Sequence, residues 1–263
     1  MVYIIRSILL SLFMMCFIFS PLVFSAPKDP DLVFYFPFEE FNGNIALDKS
    51  GNGRNGDIKG NIKIVDNGKF GKCAEFQTGS YIDMHGPDFP ADQIPRSAIT
   101  LCAWIKCKNT GDHHEIFNAR ASDQTWLIHP EARSDGNNFR WLLRTDGATT
   151  IFDIRGGAVT WDKWQHFAGV YDGKKGILYI DGEVAGEGNG GAKIAKDWGL
   201  GARIGRTIDD ARPFTGLMDE LIMWKKALTK DEIKVIMEKG LEATMAVSPI
   251  GSISTTWGQL KFE

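Results

Sequence analysis

The residues best suited to chemistry lie in a short polar loop, LDKSGNGRNGDIKG, which spans residues 47–60. Asp48 offers a carboxylate and Asn52 an amide oxygen, while Gly51 and Gly53 allow the backbone to curl so that its carbonyls converge. Calcium takes about six to eight such oxygens in proteins. The same residues are also common in surface turns. The loop therefore predicts either a calcium site or an ordinary turn.

A second carboxylate of interest is Asp219, in the segment GLMDELIMW. In a regular strand it shares one face with Leu217, Leu221 and Met223, because alternate residues point to the same side. If that face meets the core, an unpaired carboxylate there is costly. Two solutions stay open from the sequence, a bound cation or a salt bridge to a nearby Arg or Lys.

The carboxylates lack the pattern of a glycoside hydrolase. A retaining enzyme needs two carboxyl groups about 5–5.5 Å apart, which one strand supplies through acids at positions i and i+4. Glu183 and Glu187 have this spacing, but Ala185 stands between them, and we interpret them as a solvent-exposed face. Serine-hydrolase, zinc-peptidase and phosphate-loop motifs are also missing from the sequence. The sequence predicts that the chain is not an enzyme.

Aromatic side chains suggest where a glycan could bind, since sugar rings stack their C–H faces on aromatic rings. Trp161 and Trp198 lie in turn-like stretches, and Trp126 and His129 lie in a region with many polar side chains. We interpret these four residues as candidate ligand-binding residues. The alternative is that they are scattered surface aromatics, which need no functional explanation.

The elements that position these residues are predicted to be β-strands. Short apolar or alternating runs, such as AITLCAWIKC and GILYI, recur along the chain between Gly- and Asp-rich turns. Asp181-Gly182 is typical of a two-residue hairpin turn, because glycine tolerates a positive φ. So many strands predict two stacked antiparallel sheets.

One short helix is predicted after the last of these strands. Thr229 is a suitable N-cap with Glu232 three residues later, and Gly240 follows the last helical residue. We expect this helix to pack on the edge or outside of the sandwich and to carry no chemistry.

The N-terminus has the pattern of a secretory signal peptide. Arg6 precedes the apolar run SILLSLFMMCFIFSPLVF, which ends at small residues. We predict a signal peptide at 1–25, a mature domain at 26–240 and a C-terminal extension at 241–263. The alternative is an uncleaved anchor, because the apolar run is long enough to span a membrane. Cleavage implies a secreted, extracellular or periplasmic protein, with the cell surface included, and no membrane span in the mature chain.

Charge and cysteine content narrow the function further. Lys and Arg total 30 against 33 Asp and Glu, a net charge of −3, and no basic run occurs, so a nucleic-acid partner is not expected. Cleavage leaves Cys73, Cys102 and Cys107. This odd number allows at most one disulfide, and we favour three buried, inert thiols.

Five phrases occur in a characteristic order along the chain. They are DLVFYFPFEEFNGNIALDKSGNGRNGDIKG, GKFGKCAEFQTGSYIDM, AITLCAWIK, WDKWQHFAGVYDGKKGILYIDGEVAG and FTGLMDELIMWKKALTKDEI. In this order they resemble the laminin-G-like jelly-roll family of the concanavalin A-like lectin/glucanase superfamily. The resemblance implies an all-β fold, a two-sheet antiparallel jelly-roll β-sandwich with one short C-terminal helix. It also implies a structural calcium ion in many members and a role in binding outside the cell.

The resemblance also brings the two acidic segments together, because in this family the loop after the first strand approaches the late strand at the sandwich rim. Residue by residue, it implies Asp48 and Asp219 as calcium ligands, with Asn52 or its carbonyl as the third. Glu39 or Glu40 would be the fourth. Calcium is favoured over magnesium because flexible carbonyls take part. The expected function is a non-catalytic module that binds carbohydrate. The alternative is an extracellular protein–protein adhesion domain of the same fold.

Overall fold

Alternation of side chains along extended segments produces two packed sheets. The computed structural model describes residues 29–246, and these residues form eighteen strands and two α-helices. The helices are α1 (Lys230–Lys239) and α2 (Leu241–Ala246). Neither of these helices has the length and apolar character needed to cross a membrane. The strands in chain order are β1 (Leu32–Phe36), β2 (Phe41–Asn42), β3 (Ile45–Ala46), β4 (Gly56–Lys59), β5 (Ile62–Val65), β6 (Cys73–Phe76), β7 (Tyr81–Asp83), β8 (Ile99–Cys107), β9 (His114–Glu115), β10 (Phe117–Arg120), β11 (Trp126–Ala132), β12 (Asn138–Arg144), β13 (Thr150–Ala158), β14 (Gln165–Tyr171), β15 (Lys175–Ile180), β16 (Glu183–Asn189), β17 (Gly201–Ile204) and β18 (Gly216–Trp224).

The strands pair into an eight-stranded and a ten-stranded sheet. The eight-stranded sheet has the order β16-β15-β14-β8-β18-β6-β5, with β1 also paired to β18. The ten-stranded sheet has the order β13-β12-β11-β10-β17-β7-β4-β3-β2, with β9 also paired to β11. The neighbours within each sheet run antiparallel. The predicted all-β, two-sheet antiparallel jelly-roll sandwich is confirmed.

The main core fills the space between the sheets with aromatic side chains. Phe34 and Phe117 approach each other with ring centroids 5.7 Å apart, and Trp141 is fully buried beneath β14. Gly169 on β14 makes room for this indole, because a Cβ atom at Gly169 would lie 2.6 Å from Trp141 Cδ2. The Trp141 Nε1–H donates to the Val170 carbonyl oxygen at 3.2 Å, which satisfies its polar atom.

A second apolar cluster covers the outer face of the eight-stranded sheet. Ile233 and Ile236 of α1 and Leu241 of α2 pack there against strand residues such as Ile222 and Trp224. The predicted capping box is present, since Thr229 Oγ1 accepts from the Glu232 N–H and the Glu232 carboxylate accepts from the Thr229 N–H. Both described α-helices therefore pack on the outer face of the eight-stranded sheet, and neither of them packs on the ten-stranded sheet.

A bulge in β18 changes the alternation predicted around Asp219. The register shifts between Asp219 and Ile222, and Glu220 has a φ of 50°, in the left-handed region. As a result Met218, Leu221 and Met223 all belong to the inner core. The sequence assigned Asp219 to the face of Leu221 and Met223, and this assignment is wrong because a bulge inserts one residue between them.

Several expectations concern the thiols and the chain ends. Cys73, Cys102 and Cys107 are buried and form no disulfide, as favoured from the sequence. The predicted signal peptide at 1–25 and residues 247–263 lie outside the described residues. The first residues of the predicted extension at 241–263 form α2.

The close contact between Gly169 and Trp141 leads to a stability prediction. We expect Gly169→Ala to lower the free energy of unfolding by about 1–3 kcal/mol, because overpacking strains a dense core. Trp141→Phe should also destabilise, but the double variant should lose less than the sum of the two, because the smaller ring accommodates the added methyl group. Urea unfolding of the four proteins measures this coupling, and strictly additive losses would contradict the contact.

Candidate functional site

Ionisable side chains are buried on the outer face of the ten-stranded sheet. Glu115 lies on β9, and His129 and Glu131 lie on the neighbouring strand β11. Ile128 and Ala132 of β11 belong to the inner core, so the alternation of the strand directs His129 and Glu131 to the opposite side. The Glu115, His129 and Glu131 side chains are 0% exposed. Charged side chains are seldom buried so completely unless they are paired.

His129 lies between the two glutamates. Its Nδ1 lies 2.9 Å from Glu115 Oε1, and its Nε2 lies 3.3 Å from Glu131 Oε2. The Asn118 side-chain nitrogen also lies 3.1 Å from His129 Nδ1. Because an amide nitrogen donates, this contact favours an Nδ1 that accepts and a ring proton on Nε2. The Nε2 contact with Glu131 is an ion-pair distance without hydrogen-bond geometry.

The environment shifts the pKa values of the two glutamates in opposite directions. Burial raises the pKa of Glu115 to about 7, and His129 opposes only part of that rise. Burial also acts to raise the pKa of Glu131, but His129 and the nearby arginines outweigh it and hold this pKa well below its usual range. Burial acts to lower the pKa of His129, whereas Glu115 and Glu131 raise it, with a net rise. Glu131 is therefore ionised at neutral pH, whereas burial favours the protonated form of Glu115.

Three arginines surround the Glu131 carboxylate. Arg133 and Arg140 donate to Oε1 at 2.5 and 3.2 Å, and Arg212 Nε lies 2.8 Å from Oε2. Arg140 also forms a bidentate pair with Asp153, at 2.6 and 2.7 Å. A buried carboxylate needs such partners, because removing it from water is costly. The network joins β11, β12, β13 and the loop that precedes β18.

Trp126 is the half-buried aromatic residue of this region. Its ring stacks on the His129 ring with centroids 4.6 Å apart and planes 9° apart. Two guanidinium carbons also lie close to its ring centroid, that of Arg212 at 4.4 Å and that of Arg120 at 5.8 Å. Arg144 Nη1 donates to the Trp126 carbonyl oxygen at 3.5 Å. We call the central group the Trp126 site; its members are Glu115, Trp126, His129, Glu131 and Arg212.

The donor atoms of this site resemble those of a metal centre. The ligand atoms of Glu115, His129 and Glu131 lie within 4.8 Å of one another, and histidine with carboxylates is a set that zinc accepts. However, Arg212 already places positive charge 2.8 Å from Glu131 Oε2, and two further guanidinium groups contact Oε1. A cation would be repelled by these groups. We interpret the cluster as an ion-pair network.

The predicted calcium ligands Asp48 and Asn52 organise the loop at residues 47–60. Asp48 accepts hydrogen bonds from the Tyr35 and Arg54 backbone N–H groups at 2.9 and 2.7 Å, and from Ser50 N–H and Oγ. The Asn52 side-chain amide donates to the Leu32 and Val33 carbonyls. These contacts fasten the loop to β1, and they use the Asp48 oxygens for backbone donors.

The other two predicted ligands, Glu39 and Asp219, hold a different loop, residues 68–72. Asp219 Oδ2 accepts from the Lys69 and Phe70 N–H groups at 2.8 and 3.0 Å, and Oδ1 accepts from Glu220 N–H. The Glu39 carboxylate accepts from Lys72 N–H at 3.1 Å. Burial raises the pKa of Asp219 to about 7. Within residues 29–246, Asp219 has no Lys or Arg salt-bridge partner.

The structure therefore divides the predicted ligand set between two loops. Among the described residues, the cluster in the Trp126 site is the one set of three or more acidic, histidine or cysteine side chains close enough to share an ion. Asp48, Asp219 and Glu39 do not form such a set. Glu40, the alternative fourth ligand, forms an exposed salt bridge with Lys49 at 2.9 Å. The shared calcium ion stays a prediction.

Two of the four predicted ligand-binding residues come together and two do not. Trp126 and His129 stack in the Trp126 site. Trp161 packs against the core, with its ring centroid 5.6 Å from that of His114. Trp198 is 2% exposed and packs on Phe89. The prediction of a surface role for Trp198 is wrong, because a turn-like sequence can still place its aromatic residue in the core.

The sequence analysis missed Glu115, Glu131 and Arg212. A signal for two of the site residues does exist in the segment IHPEAR, where His129, Glu131 and Arg133 alternate along a strand. Three polar residues at this spacing mark one outer strand face. No comparable signal points to Arg212, which reaches the site from a loop about eighty residues later in the chain.

Comparison with known families agrees with this fold. A laminin-G profile described as belonging to the concanavalin A-like lectin/glucanases superfamily matches residues 76–234, more than half of the chain. The chain belongs to this superfamily. The resemblance seen in its sequence is thereby confirmed. No curated protein sequence matches this concanavalin A-like chain.

Solved structures of similar shape include binding domains and an enzyme. Domain 4 of AbnA, a GH43 extracellular arabinanase from Geobacillus stearothermophilus, in complex with arabinotriose, is 22% identical with a TM-score of 0.60, covering 79% of this chain and 98% of that domain. The botulinum neurotoxin serotype D ligand binding domain in complex with N-acetylneuraminic acid is 13% identical with a TM-score of 0.55, covering 79% and 50%. A mutant of Trypanosoma rangeli sialidase displaying trans-sialidase activity is 16% identical with a TM-score of 0.58, covering 81% and 33%. At these identities the likeness shows the fold of the concanavalin A-like chain.

The separation of the two acidic loops leads to a calcium prediction. We propose that calcium binds at Asp219 and Glu39 rather than at Asp48, because Asp48 already accepts four hydrogen bonds, whereas the fully buried Asp219 accepts three. Calcium should then raise the melting temperature of wild type and of Asp48→Asn relative to EDTA, and Asp219→Asn should lose this increase. Differential scanning calorimetry with and without calcium measures it. If Asp48→Asn also loses the response, the shared ion is correct; no response in wild type contradicts calcium binding.

The raised pKa of Glu115 leads to a pH prediction. The folded-state pKa of Glu115, about 7, lies above its ordinary value, so the folded protein binds more protons than the unfolded chain between those two values. Stability should fall as pH rises from about 5 to 8, by at most about 1.4 kcal/mol per pH unit for one proton. Glu115→Gln should flatten this slope in urea unfolding series. The raised pKa of Asp219 also makes stability fall as pH rises, so the measured quantity is the difference in pH slope between wild type and Glu115→Gln. Identical slopes in the two proteins would contradict the raised pKa assigned to Glu115.

Proposed function

We propose that this concanavalin A-like chain is a non-catalytic, extracellular carbohydrate-binding module, and that the glycan binds at the Trp126 site. The observation that carries the proposal is a half-buried tryptophan surrounded by guanidinium groups on the sheet face that carries no α-helix. The opposite sheet is covered by α1 and α2 through a continuous apolar cluster. The ten-stranded sheet is thus the side of the sandwich on which a ligand meets polar and aromatic groups.

The chemistry of the site suits a sugar. His129 and Arg212 lie against the Trp126 ring, so a sugar would contact the exposed part of this half-buried indole with its apolar C–H groups. The rigidity of the indole keeps the entropy cost of binding low. Arg212 and Arg120 lie against this ring and have N–H groups that donate to hydroxyl or carboxylate oxygens. A few oriented polar groups beside an apolar surface are typical of small-ligand sites. The sugar complexes of two similarly folded domains support the same class of ligand.

An extracellular location fits this function. The predicted signal peptide supports export, and the retention of three unpaired, buried thiols is compatible with it, because such thiols are inert. Burial raises the pKa of Cys73 to about 12, which leaves little reactive thiolate. Glycans of the cell surface or matrix are then the accessible partners.

One observation favours catalysis as a second function. Glu115 and Glu131 have pKa values shifted in opposite directions, as an acid and a nucleophile require, and their carboxylate oxygens lie within 4.8 Å of each other. Against it, both side chains are 0% exposed, and Glu131 is engaged by three arginines. A substrate could not contact either carboxylate in this arrangement. We therefore propose binding without hydrolysis.

The test is a glycan array probed with the purified protein in calcium and in EDTA. Wild type should bind a defined set of glycans, and Trp126→Ala should weaken binding to them at least about tenfold, since lost aromatic stacking is worth at least about 1.4 kcal/mol. Trp164→Ala is the matched control, because it removes a half-buried indole next to β14, which belongs to the other sheet, and it should keep its affinity. Circular dichroism and melting curves establish that both variants fold.

Three results would contradict the proposal in different ways. Binding to no glycan, together with retention of an extracellular protein, would favour the adhesion alternative. Equal affinities of wild type and Trp126→Ala would place the glycan elsewhere. Release of new reducing ends from a bound glycan, lost in Glu131→Gln, would show that the chain is an enzyme.

A further inference from the structure

We propose that the glycan bound at the Trp126 site carries a carboxylate, as uronic and sialic acids do, and that Arg212 binds this group. This inference rests on the proposed function and names the class of its ligand. Three observations support it: the Nη atoms of Arg212 lack hydrogen-bond partners among residues 29–246, Arg144 nearby lacks a carboxylate partner there, and the backbone at Arg212 is held in a left-handed conformation.

The guanidinium group of Arg212 contacts Glu131 on its Nε side, and its two Nη atoms lie on the other side of the group. Its Nε lies 2.8 Å from Glu131 Oε2, and its Cζ lies 4.4 Å from the Trp126 ring centroid. Neither Nη atom has a hydrogen-bond partner among residues 29–246, and the side chain is 22% exposed. Two N–H groups in one plane match the two oxygens of a carboxylate. A sugar that packs on Trp126 would bring its substituents within reach of these groups.

The surroundings of Trp126 contain a positive charge that no carboxylate pairs. Arg144 donates to Thr150 Oγ1 at 3.3 Å and to the Trp126 carbonyl at 3.5 Å, and it has no carboxylate partner in the described part of the chain. Arg120, Arg133, Arg140 and Arg212 each pair with a carboxylate. Arg144 is the arginine beside Trp126 that is left without one among the described residues. An anionic ligand would balance this charge, and a neutral ligand would not.

The carboxylate of Glu131 does not oppose such a ligand. It is fully buried and contacts His129, Arg133 and Arg140 in addition to Arg212. Its charge is therefore compensated within the protein. Glu131 acts as a positioning residue, because its ion-pair contact with Arg212 is made at Nε.

The backbone at Arg212 is held in an unfavourable conformation. Arg212 has a φ of 49° and Asp210 a φ of 62°, values at which side chains other than glycine are uncommon. The Glu115 N–H donates to the Arg212 carbonyl oxygen at 3.2 Å, and Thr207 Oγ1 accepts from the Ala211 N–H at 3.0 Å. Such conformations persist where the surrounding structure enforces them, and they cluster at ligand sites. Here the conformation places the guanidinium beside Trp126.

Isothermal titration calorimetry with matched sugars tests the inference. The first pair is trigalacturonate and its trimethyl ester, and the second is 3′-sialyllactose and its methyl ester, so that each pair differs in the carboxylate charge and the added methyl groups. A sulfated galactose trisaccharide is the fifth probe. We expect the acid of at least one pair to bind at least about tenfold more tightly than its ester, with affinity falling as sodium chloride rises. Arg212→Lys keeps the positive charge but lacks the planar pair of N–H donors. Its affinity for that acid should fall about tenfold, and its affinity for the ester should change little.

Arg155→Gln is the matched control variant. It removes one positive charge from the same sheet, at a side chain that is 50% exposed and pairs with Asp153 rather than with Trp126. This variant should bind each sugar with an affinity within about twofold of that of wild type.

Equal binding of acid and ester by wild type would overturn the inference while leaving the proposed function intact. Tighter binding of the sulfated sugar than of either acid would overturn the carboxylate assignment. An acid preference unchanged in Arg212→Lys would exclude Arg212, and binding of no sugar at all would contradict the proposed function itself.

Discussion

The ionised side chain of Glu131 is the constraint on which the outer face of the ten-stranded sheet depends. It is fully buried, and it remains charged because Arg133, Arg140, Arg212 and His129 contact its two oxygens. Removing a carboxylate from water costs several kcal/mol unless such partners replace the lost hydration. Each partner is thereby fixed in place. The network sets the position of β9 through Glu115, of β12 through Arg140 and of the late loop through Arg212, and it determines how Trp126 is presented.

The two faces of the sandwich are used differently. On the eight-stranded sheet, alternate residues of β18 point outward as apolar side chains, and α1 and α2 cover them. On the ten-stranded sheet, the outward positions hold charged and polar side chains that satisfy one another through ion pairs. An apolar outer face must be covered to exclude water, whereas a self-paired polar face remains stable without a covering element. We therefore assign the proposed glycan contact to the ten-stranded sheet.

The acidic groups of the two loops illustrate how backbone donors take the role of a cation. Asp48 accepts from four donors of its own loop and of β1, and Asp219 accepts from three backbone N–H groups. A carboxylate with several N–H donors is well satisfied without an ion. Burial raises the pKa of Asp219 to about 7, and Asp219 has no Lys or Arg partner among residues 29–246. A calcium ion beside it stays a prediction.

The fold could be predicted from the sequence in considerable detail, and the site only in part. The alternating runs, the Asp181-Gly182 turn and the Thr229–Glu232 cap are local patterns, and the structure shows each of them, with φ of 51° and 75° at the turn. Trp126 and His129 are three residues apart in the chain, so their proximity follows from local geometry. The bulge at Glu220 has no comparable local signal, and it reversed the face predicted for Asp219.

By itself, the sequence determined the antiparallel sandwich, its family, the terminal helix and the candidates Trp126 and His129. Only the tertiary structure decided that Trp198 belongs to the core, that Asp48 and Asp219 serve separate loops, and that Glu115, Glu131 and Arg212 converge. The reason is that the periodicity of a strand specifies which residues share a face, but the pairing of strands distant in sequence specifies which side chains meet. Glu131 and Arg212 are paired through space, and nothing in the chain between them records that contact.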